Sequence, residues 1–155
     1  MTDDERYMRR ALELAAQAAA DGEVPVGAVV VKKSTGEIVG EGRNRREADR
    51  SPLAHAELLA IAEASKNLGG WRLVDCALYV TLEPCPMCAG AIINSRVERV
   101  VYGASDPKAG SCGSVTDLFK LPYNHIPEFE RGVLAEECGA VLTEFFRGLR
   151  KKRSE

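Results

Sequence analysis

Two short segments constrain the fold of this chain more than any other feature, because together they carry the residue types of a metal site. The first is His55-Ala56-Glu57, and the second runs from Pro84 through Cys85 to Cys88. Each stands at the start of a helical pattern. If both segments bind one ion, the starts of two helices must meet in space. This requirement favours an α/β protein with its site at the carboxyl ends of strands, where open α/β sheets place ligands.

The donor set favours zinc with one open coordination position. Zn²⁺ binds imidazole nitrogen and thiolate sulfur, and catalytic zinc sites combine three protein ligands with a position for water. His55, Cys85 and Cys88 supply three such ligands. Both thiolates can face one ion from the first turn of a helix, where free N–H groups and the helix dipole favour thiolate over thiol. We therefore predict a catalytic zinc site in which the Glu57 carboxylate moves protons as general acid and base.

A structural zinc site is the competing interpretation of the Cys85–Cys88 pair. It would need two further ligands from the other cysteines and histidines, which are His55, Cys76, Cys112, His125 and Cys138. Cys76 and Cys138 stand in apolar surroundings typical of core residues, whereas Cys112 lies in a predicted loop and stays a candidate. The joint pattern, with each motif at a predicted helix start, favours catalysis.

Hydrophobic periodicity predicts alternating helices and strands. Thr2 is expected to cap a first helix that Gly22 ends, and apolar positions from Cys138 to Leu149 define one face of a last helix. The other predicted elements are strands at 26–31, 37–42, 77–82, 97–102 and near 132–134, helices at about 53–68 and 84–94, and a loop at 103–127. The order predicts a layered α/β protein with a mixed sheet, because the first two strands form a hairpin and later ones need crossovers.

Length and composition fit one soluble domain. The chain has 155 residues and a net charge of −2, which by itself does not indicate a nucleic-acid-binding protein. No N-terminal segment resembles a signal peptide, and no apolar run is long enough to span a bilayer. The five cysteines are odd in number, which favours reduced thiols over a disulfide framework. We therefore expect a cytoplasmic protein with no membrane partner.

Further motifs extend along nearly the whole chain. They are Glu23 to Val29, Arg43-Asn44-Arg45, Gly70 to Leu73, Tyr79 to Gly90, Val101 to Ala104, Asp106 to Gly110, Asn124-His125 and Phe145-Phe146-Arg147. With the two zinc segments, they resemble the bacterial tRNA-specific adenosine deaminases of the cytidine-deaminase-like superfamily. The zinc segments are common to the superfamily. The Asp106–Gly110, Asn124-His125 and Phe145–Arg147 segments are more typical of the tRNA branch.

The resemblance implies a fold, a reaction and a cofactor. The fold is a three-layer α/β/α sandwich with a mixed five-stranded sheet, forming a single deaminase domain over residues 1–155. The reaction is zinc-dependent hydrolytic deamination of the wobble adenosine in tRNA to inosine. One Zn²⁺ per subunit would be held by His55, Cys85 and Cys88, and Glu57 would move the protons.

The resemblance also implies contacts with the tRNA anticodon loop. Asn44 would hydrogen-bond the flipped base, and the groove for neighbouring nucleotides would be lined by Asp106, Lys108, Asn124 and Phe146. From the residues alone, Asn44 can also be a turn residue, and Asp106 before a proline can be a loop breaker. Members of the family are homodimers with partner residues close to the substrate site, so a homodimer is implied here.

Two other functions remain in view. A deaminase of a free nucleobase, guanine or cytosine, would share the zinc segments and fits the slightly acidic charge. A non-catalytic zinc or RNA-binding module is the second alternative, although such modules typically lose the glutamate that is Glu57 here. Five cations between Arg147 and Arg153 either form a solvated helix end or attract phosphates.

Overall fold

A mixed five-stranded sheet lies between two layers of helices in the computed structural model, which describes residues 1–154. The elements are α1 (Asp3–Ala20), β1 (Gly27–Lys32), β2 (Glu37–Arg43), α2 (Ala56–Leu68), β3 (Cys76–Leu82), α3 (Pro86–Ser95), β4 (Arg99–Ala104), a 3₁₀ turn (Leu118–Lys120), β5 (Glu128–Arg131) and α4 (Ala135–Ser154). Glu155, the last residue of the predicted domain, lies outside the described residues. None of the described helices is long and apolar enough to cross a membrane.

The sheet has the strand order β2-β1-β3-β4-β5. β1 pairs antiparallel with both β2 and β3, whereas β3, β4 and β5 run parallel. Helix α3 connects the parallel strands β3 and β4, as parallel strands require a crossover. The loops after β3 and β4 therefore emerge at the same edge of the sheet, and the predicted mixed sheet is confirmed.

The two faces of the sheet carry separate layers of helices. Helices α1 and α4 pack on one face, and α2 and α3 pack on the other. Successive residues of β1 pack against the two helical layers in turn, because neighbouring side chains of a strand point to opposite faces of the sheet. Val29 and Val31 belong to the same buried cluster as Met8 of α1, whereas Val30 belongs to the cluster that contains Ile92 of α3. This arrangement confirms the predicted three-layer α/β/α class.

The predicted start of the second helix was three residues too early. Helix α2 begins at Ala56, and His55 is its N-cap residue in an extended conformation, with φ −82° and ψ 150°. The preceding residues form tight turns, in which the Ala54 N–H donates to the Ser51 carbonyl and the His55 N–H donates to the Leu53 carbonyl. His55 thus precedes the first helical turn instead of lying within it.

The strand predicted near residues 132–134 is wrong. β5 is Glu128–Arg131, which begins directly after the end of the loop predicted at 103–127. Gly132 and Leu134 have φ angles of 87° and 53°, so this segment turns the chain into α4 and cannot be a strand. All four residues of β5 are exposed, so neither face of this strand is buried. Its sequence therefore lacks the alternation of apolar and polar residues by which a strand is predicted.

Helix α2 packs unusually closely on β2 because two strand positions are glycine. A Cβ atom on Gly42 would lie 2.2 Å from the Ala56 carbonyl oxygen, and one on Gly40 would lie 2.3 Å from that of Ala60. The backbone of α2 therefore rests directly on the strand. This contact fixes the start of α2, and with it His55, relative to the sheet.

We expect Gly42→Ala to lower the free energy of unfolding by about 1–3 kcal/mol, because the new methyl group must push α2 away from β2. Urea unfolding followed by circular dichroism measures this change. Gly148→Ala is the matched control, since no atom lies within 4 Å of a Cβ there. Replacing that glycine inside α4 should leave stability equal or raise it by up to about 1 kcal/mol. Equal losses in both variants would contradict the close-packing explanation.

Candidate zinc and substrate site

Two helix starts meet at the edge of the sheet and bring three predicted ligands together. His55 is the N-cap of α2 and Cys85 the N-cap of α3, and neither side chain caps its own helix. The His55 Nδ1 atom lies 3.6 Å from Cys85 Sγ and 3.5 Å from Cys88 Sγ. The donor atoms of these three residues all lie within 4.8 Å of one another.

The spacing of these donors fits one tetrahedral zinc ion. Zn–N and Zn–S bonds of about 2.1 and 2.3 Å at a tetrahedral angle place nitrogen and sulfur about 3.6 Å apart. The two observed nitrogen–sulfur distances match this value. Cys112 is buried elsewhere and does not join the cluster. Among the described residues, the structural-zinc interpretation therefore lacks its fourth protein ligand.

The electrostatics of the cluster favour a thiolate. Hydrogen bonds from the Cys88 thiol and from His55 outweigh the cost of burial and lower the pKa of Cys85 to about 4. The same contact with Cys85, together with burial, raises the pKa of Cys88. The contact with Cys85 also raises the pKa of His55. A bound cation would neutralise the negative charge that these groups share.

Glu57 lies in the first turn of α2, and its side chain is almost completely buried, with 4% of its surface exposed. Burial raises the pKa of the Glu57 carboxyl to about 7, and the neighbouring Cys85 adds to this effect. The carboxyl lies beside the Cys88 thiol. It thus stands next to the proposed metal position, within reach of a water molecule there, as a general acid and base requires.

A cleft of about 460 Å³ opens over this cluster. The predicted site residues that line it are Asn44, His55, Glu57, Cys85, Asp106, Lys108 and Phe146. Cys88 lies beneath the cleft and is fully buried. Asn124 is exposed and does not line the cleft, and its neighbour His125 is held at the Val97 carbonyl by a contact of 2.7 Å from Nε2.

Asn44 is held in one orientation at the wall of the cleft. Its Nδ2 donates to the Val24 carbonyl at 3.1 Å, and its Oδ1 accepts from the Arg46 N–H at 3.1 Å. An amide has a second N–H and a second lone pair, which stay available to a base. The following loop is anchored by the buried Glu23 carboxylate, which accepts the N–H groups of Glu47 and Ala48.

The opposite wall of the cleft comes from the loop after β4 and from α4. The Asp106 Oδ1 accepts the N–H groups of Lys108 and Ala109, so this side chain also shapes its own loop. Phe146 has 42% of its surface exposed and meets the half-buried Phe145 edge to face, with ring centroids 5.5 Å apart. An exposed aromatic ring at a cleft is suited to base stacking.

Several lining residues were missing from the sequence-based prediction. Arg46 lies at the cleft, although its charged surroundings in the sequence look like an ordinary solvated loop. Glu83 also reaches the cleft, and nothing in the sequence distinguishes it from other buried strand ends. Apolar lining comes from Val26, Leu82 and Leu142, which the periodicity assigned only to strands or to helix packing, and from Val24, which it assigned to no element.

Comparisons with known proteins agree with this geometry. The sequence model described as "Cytidine and deoxycytidylate deaminase zinc-binding region" matches residues 1–104. A Bacillus subtilis (strain 168) protein named tRNA-specific adenosine deaminase is 54% identical over 154 residues, covering 99% of this chain and 94% of that protein.

Solved structures show the same fold. One, from a study of A-to-I editing by tRNA:A34 deaminases at the wobble position of transfer RNA, superposes with a TM-score of 0.85 at 40% identity, covering 88% of this chain and 99% of that one. A guanine deaminase from Nitrosomonas europaea has a TM-score of 0.77 at 29% identity, covering 91% of this chain and 83% of that one. The chain therefore belongs to the zinc-binding cytidine and deoxycytidylate deaminase family and, within it, to the tRNA-specific adenosine deaminases.

Proposed function

We propose that this chain converts the wobble adenosine of a tRNA anticodon loop to inosine by hydrolytic deamination, releasing ammonia. The observation that carries the proposal is that one cleft joins a zinc-binding cluster and a buried carboxylate to side chains suited to an RNA base. The relatives named for tRNA adenosine deamination support the choice of substrate.

His55, Cys85 and Cys88 would hold one Zn²⁺ per subunit, since their donor types and spacing fit that ion. When bound, zinc lowers the pKa of water to about 7 and so supplies a nucleophile at neutral pH. The protein holds the three donors on two helix starts that are themselves fixed to the sheet. The cluster is therefore built before substrate binds.

Glu57 would carry the protons of the reaction. Its carboxylate accepts a proton from the water that adds to C6 of adenine and delivers a proton to a ring nitrogen. A second transfer through the same carboxyl protonates the exocyclic amine, the C6–N bond breaks and ammonia leaves. Water and adenosine thus become inosine and ammonia. The burial of Glu57 keeps competing solvent away from the carboxyl.

The remaining lining residues would bind the RNA. Asn44 presents its free amide groups to the flipped base. Asp106, Lys108 and Phe146 would contact the neighbouring nucleotides, with Lys108 suited to phosphate and Phe146 to stacking. Asn124 would join this groove only in the complex, because it lies outside the cleft in the free chain. The basic end of α4, beyond Phe146, would add electrostatic attraction for the RNA backbone.

We also propose that the enzyme is a homodimer and acts in the cytoplasm, where its tRNA substrate would be found. Apolar side chains stay exposed in the turn before α2, at its last residue and just beyond it, namely Leu53, Leu68, Trp71 and Val74. Exposed apolar surface of this kind is typical of a protein interface. The described cysteines are all free, as expected of a reducing compartment.

The function is tested with an anticodon stem–loop RNA that carries a wobble adenosine, with guanine, adenine and cytosine assayed in parallel. We expect inosine only at the wobble position, detected by nuclease digestion and chromatography, together with an equal amount of ammonia. A stem–loop with guanosine at the wobble position is the matched control. Ammonia from a free base but not from the RNA would replace the proposed substrate with a nucleobase.

The Glu57→Gln variant separates chemistry from metal binding in the same assay. We expect turnover to fall at least about 100-fold, because the amide cannot relay protons. Zinc content and stem–loop binding should stay at the wild-type level. Retained turnover would contradict the role of Glu57.

Removing a ligand should remove the metal. We expect about one zinc per subunit in the wild-type protein and less than about a tenth of that in His55→Ala, because two thiolates alone hold zinc poorly. Inductively coupled plasma mass spectrometry after gel filtration measures the content. Cys112→Ala removes a buried cysteine outside the cluster and should keep the metal. The reverse pattern in these two variants would contradict the ligand assignment.

Sedimentation velocity tests the assembly. We expect a dimer that the double variant Leu68→Glu/Trp71→Glu converts to a monomer, because charges at an apolar interface lose their hydration. Leu121→Glu is the control, because Leu121 is an exposed apolar residue outside the segment around α2. The protein with this substitution should remain dimeric. A wild-type monomer would contradict the proposed assembly.

A further inference from the structure

Glu83 is a buried carboxylate that the proposed reaction does not use. It follows the last residue of β3 and has only 2% of its surface exposed. Burying a charged group is costly unless hydrogen bonds replace the lost water. The partners of Glu83 therefore indicate what it stabilises.

Within the described part of the chain, the hydrogen bonds that the Glu83 side chain accepts come from one segment, residues 106–114, which we call the 106–114 loop. Its Oε1 atom accepts the Asp106 N–H at 3.0 Å. Its Oε2 atom accepts the N–H groups of Cys112 at 3.0 Å and Ser114 at 3.1 Å. The Ser114 hydroxyl also donates to Oε1. Both ends of the loop are thus tied to a single carboxylate.

The loop closes tightly around this carboxylate. A Cβ atom on Gly110 would lie 2.4 Å from both the Cδ and the Oε2 atoms of Glu83, so only glycine permits the approach. Inside the loop, the Gly110 N–H donates to the Asp106 carbonyl at 2.9 Å. The Ser111 N–H donates to the Pro84 carbonyl, next to Glu83. The conformation of the loop therefore depends on a group that belongs to the end of β3.

The same loop forms one wall of the cleft. Its residues Asp106, Pro107, Lys108 and Ala109 line the cleft beside the zinc cluster. Without the carboxylate, three backbone N–H groups would lose their acceptor, and the wall would have other conformations of similar energy. A wall that is ordered before binding lowers the entropic cost of holding a flexible RNA loop.

We propose that Glu83 is a positioning residue, which holds the 106–114 loop in the conformation that receives the nucleotides next to the target base. It acts through Asp106 and Lys108 and need not touch the reacting atoms. The substrate named in this inference rests on the proposed tRNA deaminase function. The anchoring of the loop by Glu83 is independent of that function.

The Glu83→Gln variant tests the proposal in the zinc-loaded, full-length protein. The amide keeps the size of the side chain but turns one acceptor into a donor that faces backbone N–H groups. We expect KM for the anticodon stem–loop to rise about tenfold while kcat falls less than about threefold, as for a group that acts in substrate binding. Zinc content should be unchanged.

Hydrogen–deuterium exchange provides a readout that needs no substrate. Peptides covering the 106–114 loop should exchange about tenfold faster in Glu83→Gln, with little change in peptides from β3. Asp4→Asn is the matched control, since Asp4 is a partly buried carboxylate that binds Arg99 at 2.8 Å and receives the Tyr79 hydroxyl on the other face of the sheet. It should change neither loop exchange nor KM.

A milder variant guards against a misfolded protein. Ser114→Ala removes only the hydroxyl donor, and we expect both readouts to shift in the same direction by a smaller factor. Wild-type loop exchange or wild-type KM in Glu83→Gln would overturn the proposal, as would zinc loss without faster loop exchange. A wild-type enzyme that leaves the RNA unchanged would overturn the proposed function and the substrate assigned to the loop, while the exchange result would still decide whether Glu83 anchors it.

Discussion

The close approach of two helix starts is the contact on which the site depends. His55 and Cys85 each precede the first turn of a helix, and their side chains meet because α2 rests on β2 while α3 follows directly from β3. Gly40 and Gly42 make the first of these contacts possible, since any side chain there would separate helix and strand. Packing that looks remote from the chemistry thus sets the distance between a nitrogen and two sulfur atoms.

Carboxylates organise both walls of the cleft by binding backbone instead of cations. Glu23 accepts two N–H groups of the loop that follows Asn44, and Glu83 accepts three from the loop that contains Asp106. Loop N–H groups need acceptors when they are buried, and a carboxylate offers up to four lone pairs at one point. One side chain can therefore order a whole loop while its neighbours face the cleft.

The layered α/β class and the three zinc donors could be predicted from the residues, because hydrophobic periodicity and the two short metal-binding motifs are local signals. The three-layer form with five strands came from the family resemblance. The segment just before the last helix was predicted less well. β5 is an exposed edge strand without apolar alternation, so the strand was placed in the turn at Gly132 that follows it. Arg46 and Glu83 were missed because their roles depend on where loops return in space. For the same reason, Asn124 was predicted to line the groove with Asp106 and Lys108, although it does not line the cleft in the structure.

The two edges of the sheet limit how copies of this protein can associate. At one edge, β5 presents the exposed sequence Glu128-Phe129-Glu130-Arg131, and its charged side chains oppose pairing with a strand from another molecule. At the other edge, β2 contains an irregularity in its pairing with β1 near Val30 and Val31, which interrupts a regular hydrogen-bonding row. Growth of the sheet into a continuous intermolecular stack is thereby disfavoured, and ordered self-association is left to helical and loop surfaces.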